Sequence, residues 1–194
     1  ILSRKIIITG GAGYIGSHVV LEALEEQYDV TIFDDLSSPI QANINSKAKF
    51  IKGSIQSKKD LSALFRNDSY DGVIHLAASK TTGESMLNPI KYAENNVVGS
   101  LNLINQCIQH NVKVFIFSSS AAVYGKPRIN PINESHPKKP VNYYGFTKLT
   151  IENHLRWYSL LCSLNFGVLR YFNAAGYDIK KRISGREKNT GNLI

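Results

Sequence analysis

An α/β fold built on a doubly wound parallel sheet is predicted from three observations. Short β-branched runs alternate with amphipathic stretches along most of the 194 residues, the pattern of repeated βαβ units. Two of those runs, Ile6-Ile7-Ile8 and Val114-Phe115-Ile116-Phe117, are uninterrupted apolar segments, as expected of strands covered on both faces. A glycine-rich loop, Thr9-Gly10-Gly11-Ala12-Gly13-Tyr14-Ile15-Gly16, joins the first run to an amphipathic stretch.

Taken in order, the strands are predicted at 5–9, 29–33, 49–52, 72–75, 113–118 and 167–171, with helices at 14–26, 58–66, 89–110 and 143–161. Right-handed crossovers then place ligands over the carboxyl ends of the strands. Residues 125–141 are rich in Pro and Asn and read as a loop near the active site. After Tyr177 the pattern changes, because 178–192 is polar, carries Lys180-Lys181-Arg182 and has no core of its own. Residues 1–176 are therefore assigned to a Rossmann-like nucleotide-binding domain. Residues 177–194 read as the start of a smaller substrate-binding domain whose remainder is absent.

Apolar residues make up 43% of the chain and charged residues 20%, which is ordinary for a globular protein. No apolar run approaches the roughly 20 residues that span a bilayer, so no membrane partner is expected. The chain begins without Met or a signal-peptide layout, and a processed or incomplete chain is the expectation. Cys107 and Cys162 form no CxxC motif; they read as thiols in a reducing compartment, and the cytoplasm is the expected location. No metal site is expected. Asn67-Asp68-Ser69 and Asn133-Glu134-Ser135 match the glycosylation pattern by chance on this reading. The net charge of +8 is carried by scattered lysines without interleaved aromatic residues, which argues against nucleic acid and for solvated surface.

Gly10, Gly13 and Gly16 are spaced three residues apart between a strand and a helix. Such a loop turns tightly, lets backbone approach a pyrophosphate, and packs its helix against the strand. The N–H groups of Tyr14 and Ile15 then face the phosphates, aided by the helix dipole. Asp34 follows Gly16 by 18 residues, the spacing expected of an acid on the adenosine ribose. A carboxylate there accepts from both ribose hydroxyls and repels a 2′-phosphate, so the expected cofactor is NAD rather than NADP. Asp35 shares that role or caps the turn.

Tyr144 and Lys148 are four apart on a predicted helix and share a face. A tyrosine serving as base near neutrality must lose roughly three pKa units, about 4 kcal/mol. An ammonium about 5 Å away supplies roughly 3 kcal/mol at an effective dielectric of 20, and a nicotinamide pyridinium supplies the rest. Ser118-Ser119-Ser120 ends the fifth strand. Of these, Ser120 is chosen to hydrogen-bond the reacting oxygen and relay its proton to Tyr144.

These motifs resemble the extended short-chain dehydrogenase/reductase superfamily and, within it, the UDP-glucose 4-epimerase (UDP-galactose 4-epimerase) family. The resemblance covers essentially the whole chain. It is carried by the glycine loop with Ser17-His18, by Gly83-Glu84-Ser85, Asn95-Asn96-Val97 and 118–125, and by Leu169-Arg170-Tyr171-Phe172-Asn173-Ala174-Ala175-Gly176. It implies that Lys80, Asn95 and the Tyr171 backbone contact NAD, that Asn173 binds the phosphates of a UDP-sugar substrate, and that Asn192 contacts the nucleotide again. It also implies a homodimer through helices 89–110 and 143–161. Two departures are Ser54, where the family has an aspartate, and Tyr143, where it has a proline. Missing substrate-domain residues beyond Ile194 are a third.

The implied activity is 4-epimerisation through a 4-keto sugar, with the 194-residue fragment itself expected to be inactive if the rest of the sugar cleft is required. A 4,6-dehydratase needs an acid/base pair after the strand-five hydroxyl, where this chain has Ala121-Ala122. A uronate epimerase or decarboxylase, and a non-catalytic NAD sensor, are the remaining alternatives. The sensor reading predicts loss of the tyrosine or lysine.

Overall fold

The computed structural model describes residues 3–37, 43–66 and 68–183. Six strands form one parallel sheet: β1 (Lys5–Thr9), β2 (Asp29–Asp34), β3 (Lys49–Lys52), β4 (Gly72–His75), β5 (Val114–Ser120) and β6 (Asn165–Tyr171). Their order is β3-β2-β1-β4-β5-β6. Strand order reverses between β1 and β4, and a doubly wound sheet opens its ligand crevice at that point. The register Thr9↔Phe33 and Thr9↔His75 aligns three carboxyl ends there.

Alternation along the strands explains why both faces are covered. Ile7, Phe33, Val73, Phe115 and Phe117 face one core with Leu61, Leu64 and Phe65 of α2 (Lys58–Arg66). Leu103 and Ile104 of α5 (Ser100–Gln109) join that core, as do Ile151 and Leu155 of α6 (Tyr143–Cys162). Ile6, Ile8, Val30 and Ile32 point the other way, onto Val20 of α1 (Tyr14–Glu25). Among the described residues, no helix is long and apolar enough to cross a membrane.

Four elements depart from the sequence reading, of which β6 simply begins two residues early, at Asn165. Strand β5 continues to Ser120 because its pairing with β6 persists through Ser119↔Arg170 and Ser120↔Tyr171. A short helix, α3 (Thr82–Leu87), was invisible because its TGESML sequence has no apolar stripe. The predicted helix 89–110 is α4 (Pro89–Tyr92), then a π-helical turn (Ala93–Gly99), then α5. That wider turn lets consecutive side chains address one residue: Asn95 Nδ2 donates to Ser79 Oγ at 3.1 Å, while Asn96 accepts from Ser79 N at 2.8 Å and donates to Ser79 O at 2.9 Å. Loop 125–141 packs His136 edge-on against Tyr124; among the described residues, none of it lines the cleft below.

Candidate active site

The glycine loop is shaped by contacts that a side chain would prevent. Gly10 has φ +70°, and a Cβ there would lie 2.7 Å from the Ala77 nitrogen. A Cβ on Gly16 would strike the Gly10 carbonyl, so α1 can lie against the loop only with glycine at that position. Gly13 differs: its Cβ would meet only the Gly10 oxygen, at 3.2 Å. Its missing side chain therefore opens the cleft itself. Gly13 also precedes α1 as its N-cap and offers no side-chain cap, leaving the first-turn amides available to an anion. The Tyr14 side chain makes separate contacts, with its hydroxyl donating to the Gly176 carbonyl and its ring meeting that of Tyr177 in an edge-type contact at 5.8 Å.

Asp34 does more than close β2. One carboxylate oxygen accepts from Ala12 N at 3.0 Å, and the other from Leu36 N at 2.9 Å. The carboxylate thus ties the glycine loop to the end of β2, and each oxygen keeps a lone pair for a ribose hydroxyl. Burial raises its pKa, against the lowering effect of those two N–H donors. Asp35 accepts from Ser37 N at 2.8 Å and caps the turn. Ser54 N donates to Asp60 Oδ2 at 3.1 Å, which ties the end of β3 to α2.

Opposite the loop, Asn142 starts α6 by accepting from Gly145 N at 2.7 Å. Tyr143 in place of proline leaves the helix start where it was predicted. Tyr144 N donates to the Ser85 hydroxyl at 3.0 Å, which anchors the first turn to α3. Lys148 is buried; its Nζ donates to Ser118 O at 2.8 Å, and lies 4.9 Å from the Phe117 ring centroid and 5.8 Å from that of Tyr144. Burial alone pushes the Lys148 ammonium down to about 7. Burial also raises the Tyr144 phenol, while a hydrogen bond with the Ser120 side chain pulls it back. The sequence-level Coulomb sum therefore omitted desolvation, which opposes both charged forms.

One cleft of about 840 Å³ gathers these groups. Gly10, Gly13, Tyr14, Ile15, Gly16 and Asp34 line it from the β1–β2 side. Lys80 and Asn95 line its middle, and Ser120, Tyr144, Lys148, Tyr171 and Asn173 line its far end. Asn192 lies outside the described residues. The sequence reading missed Glu84 and Lys91, which pair at 2.5 Å on the cleft wall.

It also missed the support beneath. His75 is fully buried between Thr9 Oγ1 (2.7 Å) and Ser100 Oγ (2.8 Å). Because the Ser100 hydroxyl donates to Asn96 O at 2.6 Å, the His75 Nε2 must donate to Ser100, and its Nδ1 accepts from Thr9. Burial, then the Lys148 charge, lowers His75 to about 3, which keeps the ring neutral. A polar residue ending an otherwise apolar strand is the signal that marked it.

The family model described as the NAD dependent epimerase/dehydratase family matches residues 6–191. The chain belongs to that family. It is 44% identical over 189 residues to the UDP-glucose 4-epimerase of Halalkalibacterium halodurans, covering 97% of this chain and 56% of that protein. The crystal structure of UDP-glucose 4-epimerase from Brucella ovis in complex with NAD superposes with a TM-score of 0.91 at 36% identity, covering 95% of this chain and 56% of that one. The UDP-glucose 4-epimerase of Thermotoga maritima, solved with UDP-glucose, gives a TM-score of 0.86 at 36% identity, covering 89% and 57%. The chain spans about half the length of the curated relatives it matches.

Proposed function

We propose that this chain is the cofactor-binding part of an enzyme that interconverts UDP-glucose and UDP-galactose by epimerisation at C4. The observation that carries the reading is convergence: Ser120, Tyr144 and Lys148 meet at the carboxyl end of β5 and face the glycine loop within one cleft. Relatives named UDP-glucose 4-epimerase, one solved with NAD and another with UDP-glucose, support it.

The loop around Gly10 and Gly13, with the amides of Tyr14, Ile15 and Gly16 at the start of α1, would hold the pyrophosphate of NAD. Asp34 would hold the ribose, and Lys80, Asn95 and Tyr171 the nicotinamide half. Gly13 fits this role, since its absent side chain leaves open cleft rather than filled space. When bound, NAD supplies a recycled acceptor for the sugar C4 hydride and a positive ring that favours a phenolate. Tyr144 takes the proton of the sugar 4-hydroxyl, and Ser120 hydrogen-bonds the same oxygen. After the 4-keto sugar turns about its diphosphate link, C4 would take the hydride back on its other face while Tyr144 returns the proton to the C4 oxygen. Lys148 offsets the charge on the phenolate throughout. A dehydratase would need an acid and base where Ala121 and Ala122 stand.

Asn173 and Asn192 would contact the UDP-sugar, with 177–194 opening the substrate-binding unit. A homodimer is supported by the exposed Val98, Phe146, Trp157 and Leu160 on the π turn and α6. The free thiols of Cys107 and Cys162 suit a reducing cytoplasm. Full-length protein given UDP-glucose is expected to form UDP-galactose without added reductant. A strict need for external NAD turnover would overturn the proposal.

A further inference from the structure

Directly behind the Tyr144–Lys148 pair lies an ion pair with a buried carboxylate that the proposed chemistry does not use. Helix α6 presents Tyr144, Lys148 and Glu152 at successive turns of one face, and Glu152 is 1% exposed. Its carboxylate accepts from Arg170 Nε at 2.9 Å and from Arg170 Nη2 at 2.7 Å, a two-pronged pairing. Ser119 Oγ donates to the same carboxylate at 2.6 Å. The remaining arm of Arg170 donates to Tyr124 OH at 2.8 Å, and its guanidinium lies 5.1 Å from the Tyr124 ring centroid.

The placement of this pair is specific. Ser119 and Arg170 are register partners on β5 and β6, flanked by the partners Ser120 and Tyr171. Lys148 bonds the Ser118 carbonyl and Glu152 bonds the Ser119 side chain. The helix is thus fastened to two consecutive residues of the strand that ends in Ser120. Four residues of helix advance about 6 Å, so the carboxylate sits within reach of the lysine that must instead serve Tyr144. An unpaired buried carboxylate at that spacing would compete for the ammonium.

We propose that Arg170 is a positioning residue: by clamping and neutralising Glu152, it keeps the Lys148 charge directed at Tyr144 and α6 in register with Ser120. The inference rests on Tyr144 and Lys148 being the proton-transfer pair. It assigns a task to Arg170 of the Arg170-Tyr171-Phe172-Asn173 segment, which the cofactor and substrate contacts leave unused. The other titratable groups around this end of the cleft are Lys80, Glu84, Lys91, Tyr92, Tyr171 and the neutral His75, and the variants below leave all of them in place.

The test is the ionisation midpoint of Tyr144, read as phenolate absorbance in the full-length protein and measured against the same background carrying Tyr144→Phe. Arg170→Met exposes Tyr144 and Lys148 to an uncompensated anion and should raise the midpoint by about one pH unit. Glu152→Gln leaves an uncompensated cation and should lower it by a similar amount. The double variant removes both charges and should return the midpoint close to wild type. Should Arg170→Met fail to fold, the downward shift in Glu152→Gln and its reversal in the double variant carry the test. Shifts of the same sign, no shift, or a double variant displaced as far as Glu152→Gln alone would overturn the inference. Because the readout needs no turnover, a protein that shifts as expected but does not epimerise counts against the proposed function alone. One that epimerises without the shifts counts against Arg170 alone.

Discussion

The two ends of the cleft are built from different materials. The glycine-loop end is made of backbone: Gly10 and Gly16 permit close approach, and Asp34 knots the loop through two N–H groups. The far end is made of side chains: Lys148, Glu152 and His75 are buried where charge is costly, Arg170 is partly buried, and each is held by specific partners. The first end should respond to substitution through shape, and the second through charge and pH.

Tyr144→Phe tests that contrast most severely. It should lower turnover about 10³-fold with little change in thermal unfolding or NAD affinity, and a loss of affinity comparable to the loss of turnover would erase the division between the ends. Lys148→Met should cost turnover roughly 10²-fold yet stabilise the fold. With a folded pKa of about 7 against an ordinary 10.5, the unfolded chain binds the extra proton between those values, so the lysine's penalty is full at pH 7 and below and fades as pH rises toward 10.5. The variant should therefore gain about 1–3 kcal/mol at pH 7 and progressively less by pH 10, as denaturant titrations would show. A variant less stable than wild type at pH 7 would contradict the burial argument.

At the other end, Gly16→Ala should push α1 off the loop and cost about 1–3 kcal/mol of stability, along with NAD affinity, at every pH. A pH-dependent loss would mean that charge matters there too. Smallest is Asp34→Asn, in which one amide oxygen cannot serve both N–H groups. About 1 kcal/mol and part of the preference for NAD over NADP should go, as competition binding between the two cofactors would reveal.

The same contrast governs how much could be read from sequence. All six strands were legible because β-branched runs are local signals, and the glycine loop because its steric demands fall on neighbouring residues. That Tyr144, Lys148 and Ser120 come together in one cleft was legible from spacing and from strand position. What escaped was long-range and polar. Glu152 and Arg170 are 18 residues apart and meet only through the β5–β6 register. Asn96 reaches Ser79 only because a π turn replaces regular helix. Helix α3 carries no apolar periodicity to betray it. A charged residue one turn beyond Lys148 on the same helical face was the available hint for Glu152.

In the proposed chemistry the buried Tyr144 phenol is kept ionisable near neutrality by the Lys148 ammonium, against the burial that opposes both charges. The direct measurement is the ionisation midpoint of Tyr144 in full-length protein loaded with NAD, taken as the absorbance difference between wild type and Tyr144→Phe, and repeated in Lys148→Met. A midpoint below about 8 in the wild type, rising by about two units in Lys148→Met, is the predicted result. A midpoint at or above that of free tyrosine, about 10, and unmoved by loss of the lysine would contradict it.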